Sequence, residues 1–256
     1  MDLKKTLLLV GLSSGLAHAD VESSLSASYN SEYIYRGVNL GDSPLSLNLT
    51  ASGEAAGLNW HAGLFHASTE DGGLLETLTG VDGLDIREMR MSLGVSKALS
   101  DSLTVSAGVI NTSYDTGVAV TGQGLGQAFT VDPFGSDRRE VYVGVSTALG
   151  GIDLSGTVYW NTTDEYPGDH YYEISASYHH CMGDGLGATL AVTYGNWDED
   201  PLGFQVEDVD FVTISATLDK DLGGGLSGSL GVTHQIADAV LTDDETVVGA
   251  SLTFNF

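Results

Sequence analysis

Alternation of apolar residues with polar or small ones runs along almost the whole chain, and it constrains the fold more than any other feature. Successive side chains of a β-strand point to opposite faces, so a period of two indicates strands with one apolar face. Twelve such runs follow one another between Val21 and Phe256, and each is close to the roughly 9–11 residues that a tilted membrane-crossing strand needs. The pattern predicts an all-β chain that forms a transmembrane antiparallel up-and-down β-barrel of about 12 strands.

The links between the runs fall into two classes. Every second link is long or intermediate, and the two longest are Thr69–Asp85 and Asp115–Arg138. Short turns on one side and long loops on the other are typical of outer-membrane barrels, whereas a soluble β-sandwich has no reason to segregate them. The five short links are Gly53–Gly57, Ala98–Asp101, Gly150–Gly151, Gly183–Gly185 and Asp221–Gly225. An even strand number then predicts that both ends of the barrel lie on the periplasmic side.

The first 19 residues have the form of a cleaved secretory signal. A basic start at Met1–Lys5 precedes the apolar segment Thr6–Leu16, and Ala17–Ala19 has the small-x-small form of a cleavage site. The apolar segment is about half of the roughly 20 residues that a spanning helix requires. We therefore expect a signal peptide at 1–19 and an exported barrel at 20–256.

The chain ends in Leu252–Phe256, which has apolar residues at alternate positions and a terminal Phe. This end resembles the signature by which the barrel-assembly machinery recognises its substrates. It implies contact with that machinery through Phe256, a location in the cell outer membrane, and contact with outer-membrane lipid and lipopolysaccharide.

The charge is strongly acidic, with 35 Asp and Glu against 9 Lys and Arg and a formal net charge of −26. Such a field repels nucleic acid and attracts cations. The single cysteine, Cys181, excludes an internal disulfide. The composition therefore points to small solutes or cations as partners.

Charged residues assigned to the polar face of the runs are candidates for lining the lumen. One interpretation makes them a field that sets ion selectivity, and the excess of carboxylates then predicts a cation preference. The other makes them internal ion pairs, such as Glu88 with Arg90, that brace or plug the pore. Both interpretations stay open for the nine candidates, which are Glu22, Glu32, Arg36, Glu88, Arg90, Glu140, Asp153, Glu173 and Asp210.

Aromatic residues near the ends of the runs suggest belts at the two membrane interfaces. Those expected at the outer rim are Tyr33, Tyr35, Trp160, Tyr172 and Tyr194. Those expected at the inner rim are Tyr178, Phe254 and Phe256.

Catalytic and metal-binding patterns are weak. The histidines are scattered over several runs, and Asp169-His170 is the one adjacent Asp-His pair. The acidic segments at 198–200 and 243–245 lack the spacing of an EF-hand loop. We therefore expect no enzyme activity, no metal and no cofactor.

The segment Ser28–Val38, which reads SYNSEYIYRGV, resembles the opening of the TorF family of porin-like outer-membrane barrels, the Gcw_chp type. Pro44 and the run Leu45–Ala51 occupy the places of that family's proline and second strand. The resemblance implies an outer-membrane pore without naming a substrate, and it carries over Arg36 and Gly37. It places Arg36 at the end of the first strand, where its expected role is to bond loop carbonyls.

Three functions compete at this point. The first is a porin-like channel for passive diffusion of small solutes or ions, with a preference for cations. The second is a non-conducting surface barrel that acts through its loops, by adhesion or by binding a partner, with 116–136 as the main candidate loop. The third is an outer-membrane hydrolase that uses Asp169 and His170.

Overall fold

A computed structural model describes residues 21–70, 86–115, 120–124, 127–131, 138–163, 170–198, 209–238 and 244–256. The predicted signal peptide lies outside these residues, as do most of the two longest links. The described residues form fifteen strands: β1 (Glu22–Asn30), β2 (Glu32–Tyr35), β3 (Val38–Ala55), β4 (Leu58–Glu70), β5 (Arg87–Ala98), β6 (Leu103–Asp115), β7 (Val120–Gly124), β8 (Gln127–Val131), β9 (Arg138–Leu149), β10 (Ile152–Asn161), β11 (His170–Gly183), β12 (Leu186–Asp198), β13 (Val209–Gly223), β14 (Leu226–Asp238) and β15 (Glu245–Asn255).

Twelve of these strands form one closed antiparallel ring, which confirms the predicted barrel. The ring closes because β1 pairs with β15 on one side and with β3 on the other. At the seam the backbones of Ser23 and Phe256 exchange hydrogen bonds of 2.9 and 3.2 Å. Closure is required in hydrocarbon because an open strand edge would leave N–H and C=O groups without partners. The ring consists of β1, β3, β4, β5, β6 and β9 to β15.

The two ends of the ring differ as the link lengths predict. At one end, which we call the turn end, β3 and β4, β9 and β10, β11 and β12, and β13 and β14 are joined by two-residue turns, and β5 and β6 by four residues. Asp184 and Gly185 turn there with φ values of 52° and 70°, a conformation that Gly adopts without strain. The seam between Ser23 and Phe256 lies at this same end. The opposite end, the loop end, borders the longer links.

The outward face is a belt of large apolar side chains in the predicted register. Leu93 is 55% exposed, Ile174 59% and Leu230 65%, although the same side chains in a soluble domain would form a core. A contiguous apolar surface around a barrel is the surface expected to face lipid. Among the described residues, no helix is long and apolar enough to cross a membrane.

The link between β6 and β9 contains the strand pair β7 and β8, which forms a separate two-stranded sheet. The predicted long link Asp115–Arg138 therefore lies where the sequence placed it, between β6 and β9. The rest of the segment between 115 and 138 lies outside the described residues.

The first predicted run is wrong in its second half. The run was expected to continue from Val21 through Tyr35, but the strand stops at Asn30 and the chain folds inward. Strand β2 pairs with the first residues of β3 through a two-residue turn at Arg36 and Gly37, whose φ values are 50° and 88°. We call residues 31–43 the inner hairpin.

Two glycines make room on the lumen wall for a pair of larger side chains. His61 of β4 and Tyr142 of β9 lie 2.8 Å apart, Nε2 to Oη, and they pass over Gly94 and Gly108. A Cβ added at Gly108 would lie 2.6 Å from Cε1 of Tyr142 and 2.5 Å from the carbonyl oxygen of Leu93. These contacts are too short for any side chain to be accepted without a shift of the strand or of the ring.

Gly108→Val is therefore expected to lower the free energy of unfolding by about 1–3 kcal/mol, as overpacking does elsewhere. Urea unfolding of the refolded barrel in lipid vesicles measures the change. Gly156→Val is the matched control, because a Cβ there meets only the carbonyl oxygen of Glu173, at 3.9 Å. Equal stability of the two variants would contradict the close packing over Gly108.

Candidate functional site

The lumen near the loop end is occupied by the inner hairpin. At its tip, Nε2 of Gln235 on β14 donates to the carbonyl oxygen of Gly37 at 2.9 Å, and Arg36 reaches Glu140 of β9 on the far side of the ring. Val38 and Leu40 of the returning strand are 3% and 2% exposed. The hairpin therefore narrows the barrel rather than standing outside it.

Arg36 at the hairpin tip forms a bidentate ion pair with Glu140 of β9. Nη1 and Nη2 donate to Oε1 and Oε2 at 2.6 and 3.0 Å. The two side chains are 8% and 1% exposed. Two parallel charge-assisted hydrogen bonds fix both distance and orientation, so this pair locates the hairpin tip against the wall. A third charge joins the pair, because Nε of Arg138 lies 3.3 Å from Oε1 of Glu140.

Aromatic rings surround the guanidinium of Arg36 on its other sides. Its Cζ lies 4.2 Å from the ring centroid of Tyr171 on β11 and 4.7 Å from that of Tyr159 on β10. It lies 5.0 Å from the ring of Tyr35 and 5.6 Å from that of Trp197 on β12. Ring faces attract cations, so this cage replaces part of the water that the arginine loses.

A second charged contact fixes the flank of the hairpin. Oη of Tyr33 donates to Oε2 of Glu88 on β5 at 2.6 Å, and Nη2 of Arg90 binds the other oxygen of Glu88. The guanidinium of Arg90 lies 4.6 Å from the ring centroid of Tyr35. The internal pairing of Glu88 with Arg90 is therefore present, and it braces the hairpin.

These contacts correct three positions that the sequence placed differently. Arg36 lies at the tip of a hairpin inside the lumen, whereas it was expected to end the first strand beside an outer loop. Tyr33 and Tyr35 face Glu88 and Arg90 in the lumen instead of an outer aromatic belt. The reason is the turn at Arg36 and Gly37, which directs the whole segment inward.

Four other candidate carboxylates also lie on the lumen side of the strands or on the hairpin, namely Glu22, Glu32, Asp153 and Glu173. Glu173 accepts hydrogen bonds from Oη of Tyr171 at 2.8 Å and from Oη of Tyr159 at 3.3 Å. Within the described part of the chain, none of these four carboxylates forms an ion pair with Arg or Lys. Their charge is therefore not neutralised by a direct cationic partner.

Asp210 is the one candidate that faces away from the lumen. It lies two residues before Val212 on β13, so the period of two places both on the outer face. Its Oδ1 accepts hydrogen bonds from Tyr194 at 2.6 Å and from Asn196 at 2.9 Å. Phe211, which is 6% exposed, occupies the lumen position instead.

Open space remains beside the hairpin and at the turn end. A cavity of about 360 Å³ lies between the hairpin and the wall that runs from β13 through β15 to β4, and Glu32, Thr213, Thr233 and Gln235 help to line it. A second recess of about 330 Å³ lies near the turn end, lined mainly by Ser and Thr hydroxyls together with Asp101 and Asp153. The recess at the turn end is therefore mainly polar, whereas the cavity beside the hairpin is also lined by Phe65, Phe211 and Val247.

Several residues of the site were absent from the sequence candidates. They are aromatic or amide side chains in the lumen register of their strands, which a search for charged residues passes over. The alternation of their runs places Tyr142 and Tyr159 on the polar face, so the sequence pattern alone could have identified these two residues as facing the lumen. The residues missed are Tyr142, Tyr159, Tyr171, Trp197, Phe211 and Gln235.

The residues weighed for catalysis do not come together in the described structure. Asp169 lies outside the described residues, and so do Glu199, Asp200 and Asp243 of the two acidic segments. His179 contacts Cys181, with Nε2 and Sγ 3.5 Å apart, at an exposed position near the turn end. Over the described ranges, no three His, Cys, Asp or Glu side chains are grouped closely enough to hold a metal ion.

No protein-family model matches the chain, and no characterised protein matches it in sequence. The resemblance to the TorF-type porins therefore rests on Ser28–Val38 and the strands that follow it.

Solved outer-membrane barrels share the fold at low sequence identity. A COG4313 outer-membrane channel from Pseudomonas putida F1 superposes with a TM-score of 0.55 at 8% identity, over 93% of this chain and 95% of the other. The NanC porin gives 0.53 at 9% identity, over 91% and 98% of the two chains. LpxR from Salmonella typhimurium gives 0.53 at 10%, over 91% and 99%. At these identities the likeness establishes an outer-membrane type of barrel and nothing finer.

Glu140→Gln is expected to lower the free energy of unfolding by about 3 kcal/mol, because it leaves Arg36 buried without its counter-charge. Urea unfolding in vesicles measures the change. Combining Glu140→Gln with Arg36→Met should cost less than the sum of the two single substitutions, since the pair is lost only once. Glu22→Gln, at an exposed carboxylate near the turn end, should change stability by under about 0.5 kcal/mol. Additive losses at Arg36 and Glu140 would contradict the pairing.

Proposed function

We propose that the protein is a porin-like channel for passive diffusion of small solutes or ions across the outer membrane. The observation that carries the proposal is a closed twelve-stranded ring whose interior the inner hairpin narrows without filling. Barrels of eight strands have interiors that side chains fill, and those of 16–18 strands leave wide aqueous channels. A twelve-stranded ring that is narrowed by a hairpin therefore suits solutes smaller than those that pass through barrels of 16–18 strands.

The proposed orientation places the loop end outside the cell and the turn end in the periplasm. Short turns and both barrel termini on one side support this orientation. A cleaved signal at 1–19 and recognition of Phe256 by the assembly machinery belong to the same proposal, as does membership of the TorF-type porins.

A preference for cations follows from which charges are neutralised. Arg36 and Arg90 are each engaged by a wall carboxylate, and Arg138 contacts Glu140 as well. Glu32 and Asp153 border the open spaces without such a partner. Charged rings along a passage select ions of the opposite sign, so the remaining carboxylates favour cations.

Planar-bilayer recording of the refolded chain is expected to reveal small conductance steps. Replacing 32–42 by a three-residue Gly-Ser-Gly linker should increase the step size several-fold, because it removes the obstruction. The ends can be joined this way because N of Ser43 already donates to the carbonyl oxygen of Ser31 at 2.8 Å. Absence of steps above the lipid background from both proteins would rule out the channel.

Selectivity is tested by reversal potentials in a KCl gradient. Glu32→Gln should reduce the permeability ratio of K⁺ to Cl⁻, because it removes a charge that borders the remaining passage. Asp210→Asn removes the same charge from the outer face and should leave the ratio unchanged. Equal effects of the two substitutions would mean that the preference arises from the overall charge of the protein rather than from the lumen.

The inner hairpin also favours a second candidate, a surface barrel that does not conduct and acts through its loops. A non-conducting barrel needs a filled lumen, and the hairpin occupies the loop end of this one. Deletion of 116–136 would then abolish adhesion or partner binding and leave the barrel folded. Conductance steps from the unaltered chain would exclude this candidate.

A further inference from the structure

The inner hairpin has a fixed root and a part held mainly by side chains. At the root, N of Ser31 donates to the carbonyl oxygen of Val248 on β15 at 2.9 Å, and Oγ of Ser31 accepts from N of Val248 at 3.0 Å. On the returning side, Asp42 pairs with Glu70 of β4. Between these points, β2 pairs with β3 and so within the hairpin itself. Glu32 pairs with Asp42 at the base of this hairpin, so the segment 32–42 is one unit, which joins the barrel at Ser31 and through the pairing of Asp42 with Glu70.

Three carboxylates meet at this root. Glu32 and Asp42 lie on the hairpin, where they pair with each other, whereas Glu245 lies on β15 of the ring. Nδ2 of Asn39 is 3.3 Å from Oε2 of Glu32 and 3.3 Å from Oε1 of Glu245, so one amide serves two carboxylates. The charged groups that act on Glu32 are Glu245 and Asp42, and both are acidic. The nearby arginines are engaged elsewhere, Arg36 by Glu140 and Arg90 by Glu88.

We propose that the inner hairpin is a proton-controlled gate, docked in the lumen while Glu32 at its root holds a proton and released when Glu32 is ionised beside Glu245. The physical cause is repulsion between Glu32, which moves with the hairpin, and Glu245, which stays with the ring. The gating role rests on the proposed channel function, whereas the docking equilibrium itself does not.

The direction of the pH dependence follows from the docked state. Burial, together with Glu245 and Asp42, raises the pKa of Glu32 from its ordinary value of 4.5 to about 7 while the hairpin is docked. Release returns that carboxyl to water, where it ionises at its ordinary value. Docking is therefore fully favoured below about pH 4.5, weakens as the pH rises from there to about 7, and stays weakened above it. Because Glu32 is partly exposed, water screens part of the repulsion. We therefore expect the docking equilibrium constant to change by about tenfold, which is less than the change in the pKa of Glu32 would give in full.

Trp197 offers a built-in reporter. It is 4% exposed, and its ring lies 6.4 Å from that of Tyr35 on the hairpin, so release of the hairpin uncovers it. The double substitution Trp60→Phe, Trp160→Phe leaves Trp197 as the sole tryptophan. Acrylamide quenching of the refolded barrel in vesicles then follows docking as a function of pH.

Quenching of Trp197 is expected to rise between pH 5 and pH 8. Glu32→Gln should abolish most of this rise and keep the ring protected at pH 8, because the amide cannot ionise. Glu245→Gln should also reduce the rise in quenching, because it removes the charge that repels Glu32. This variant replaces Glu32→Gln in the test if Glu32→Gln does not fold. Asp153→Asn, which removes a carboxylate at the far recess, should leave the titration unchanged. Equal quenching at pH 5 and pH 8, or an unaltered rise in both Glu32→Gln and Glu245→Gln, would overturn the proposal.

Bilayer conductance of the same proteins separates the gate from the channel. Larger or more frequent openings at pH 8 than at pH 5, lost in Glu32→Gln, are expected if both proposals hold. Conductance that is independent of pH, together with flat quenching, would remove the gate and leave the channel. A pH-dependent quenching signal without any conductance would leave the docking equilibrium in place and remove the channel.

Discussion

The need of every backbone N–H and C=O group for a partner in hydrocarbon is the constraint on which the rest of this structure depends. It forces β1 and β15 to pair and closes the ring at Ser23 and Phe256. Once the ring is closed, each strand has one face toward lipid and one toward an interior. Leu93 and Ile174 are then stable while exposed, and Glu88 and Glu140 become buried, at 1% exposure each.

Buried carboxylates in that interior explain why a charged hairpin tip stays there. An ionised Glu140 at 1% exposure would be costly without a counter-charge, and Arg36 supplies one with two parallel hydrogen bonds. Tyr159, Tyr171 and Trp197 then surround the arginine and exclude water. Wall and hairpin therefore stabilise each other, and neither set of charges would be well placed alone.

The lumen charges divide into two groups with different roles. Near the loop end, Arg36, Arg90, Glu88 and Glu140 are paired and act mainly as braces, which was one of the two interpretations left open by the sequence. Glu32 and Asp153 border open space without cationic partners and remain candidates for selectivity. Paired charges hold a fixed geometry, whereas unpaired ones keep the field that acts on a passing ion or a proton.

The sequence by itself determined the strands, their outward and inward faces and the turns at one end, because the period of two and glycine-rich turns are local properties. Alternating Val143 and Val145 against Tyr142 and Gly144, for example, leaves no second assignment of faces. Only the tertiary structure decided the inner hairpin. Tyr29, Tyr33 and Tyr35 keep one parity, so the local pattern is the same whether the strand continues outward or folds into the lumen. The partners that decide between these paths are Glu140, 104 residues from Arg36, and Gln235, 198 residues from Gly37. Their positions become defined only when the ring closes.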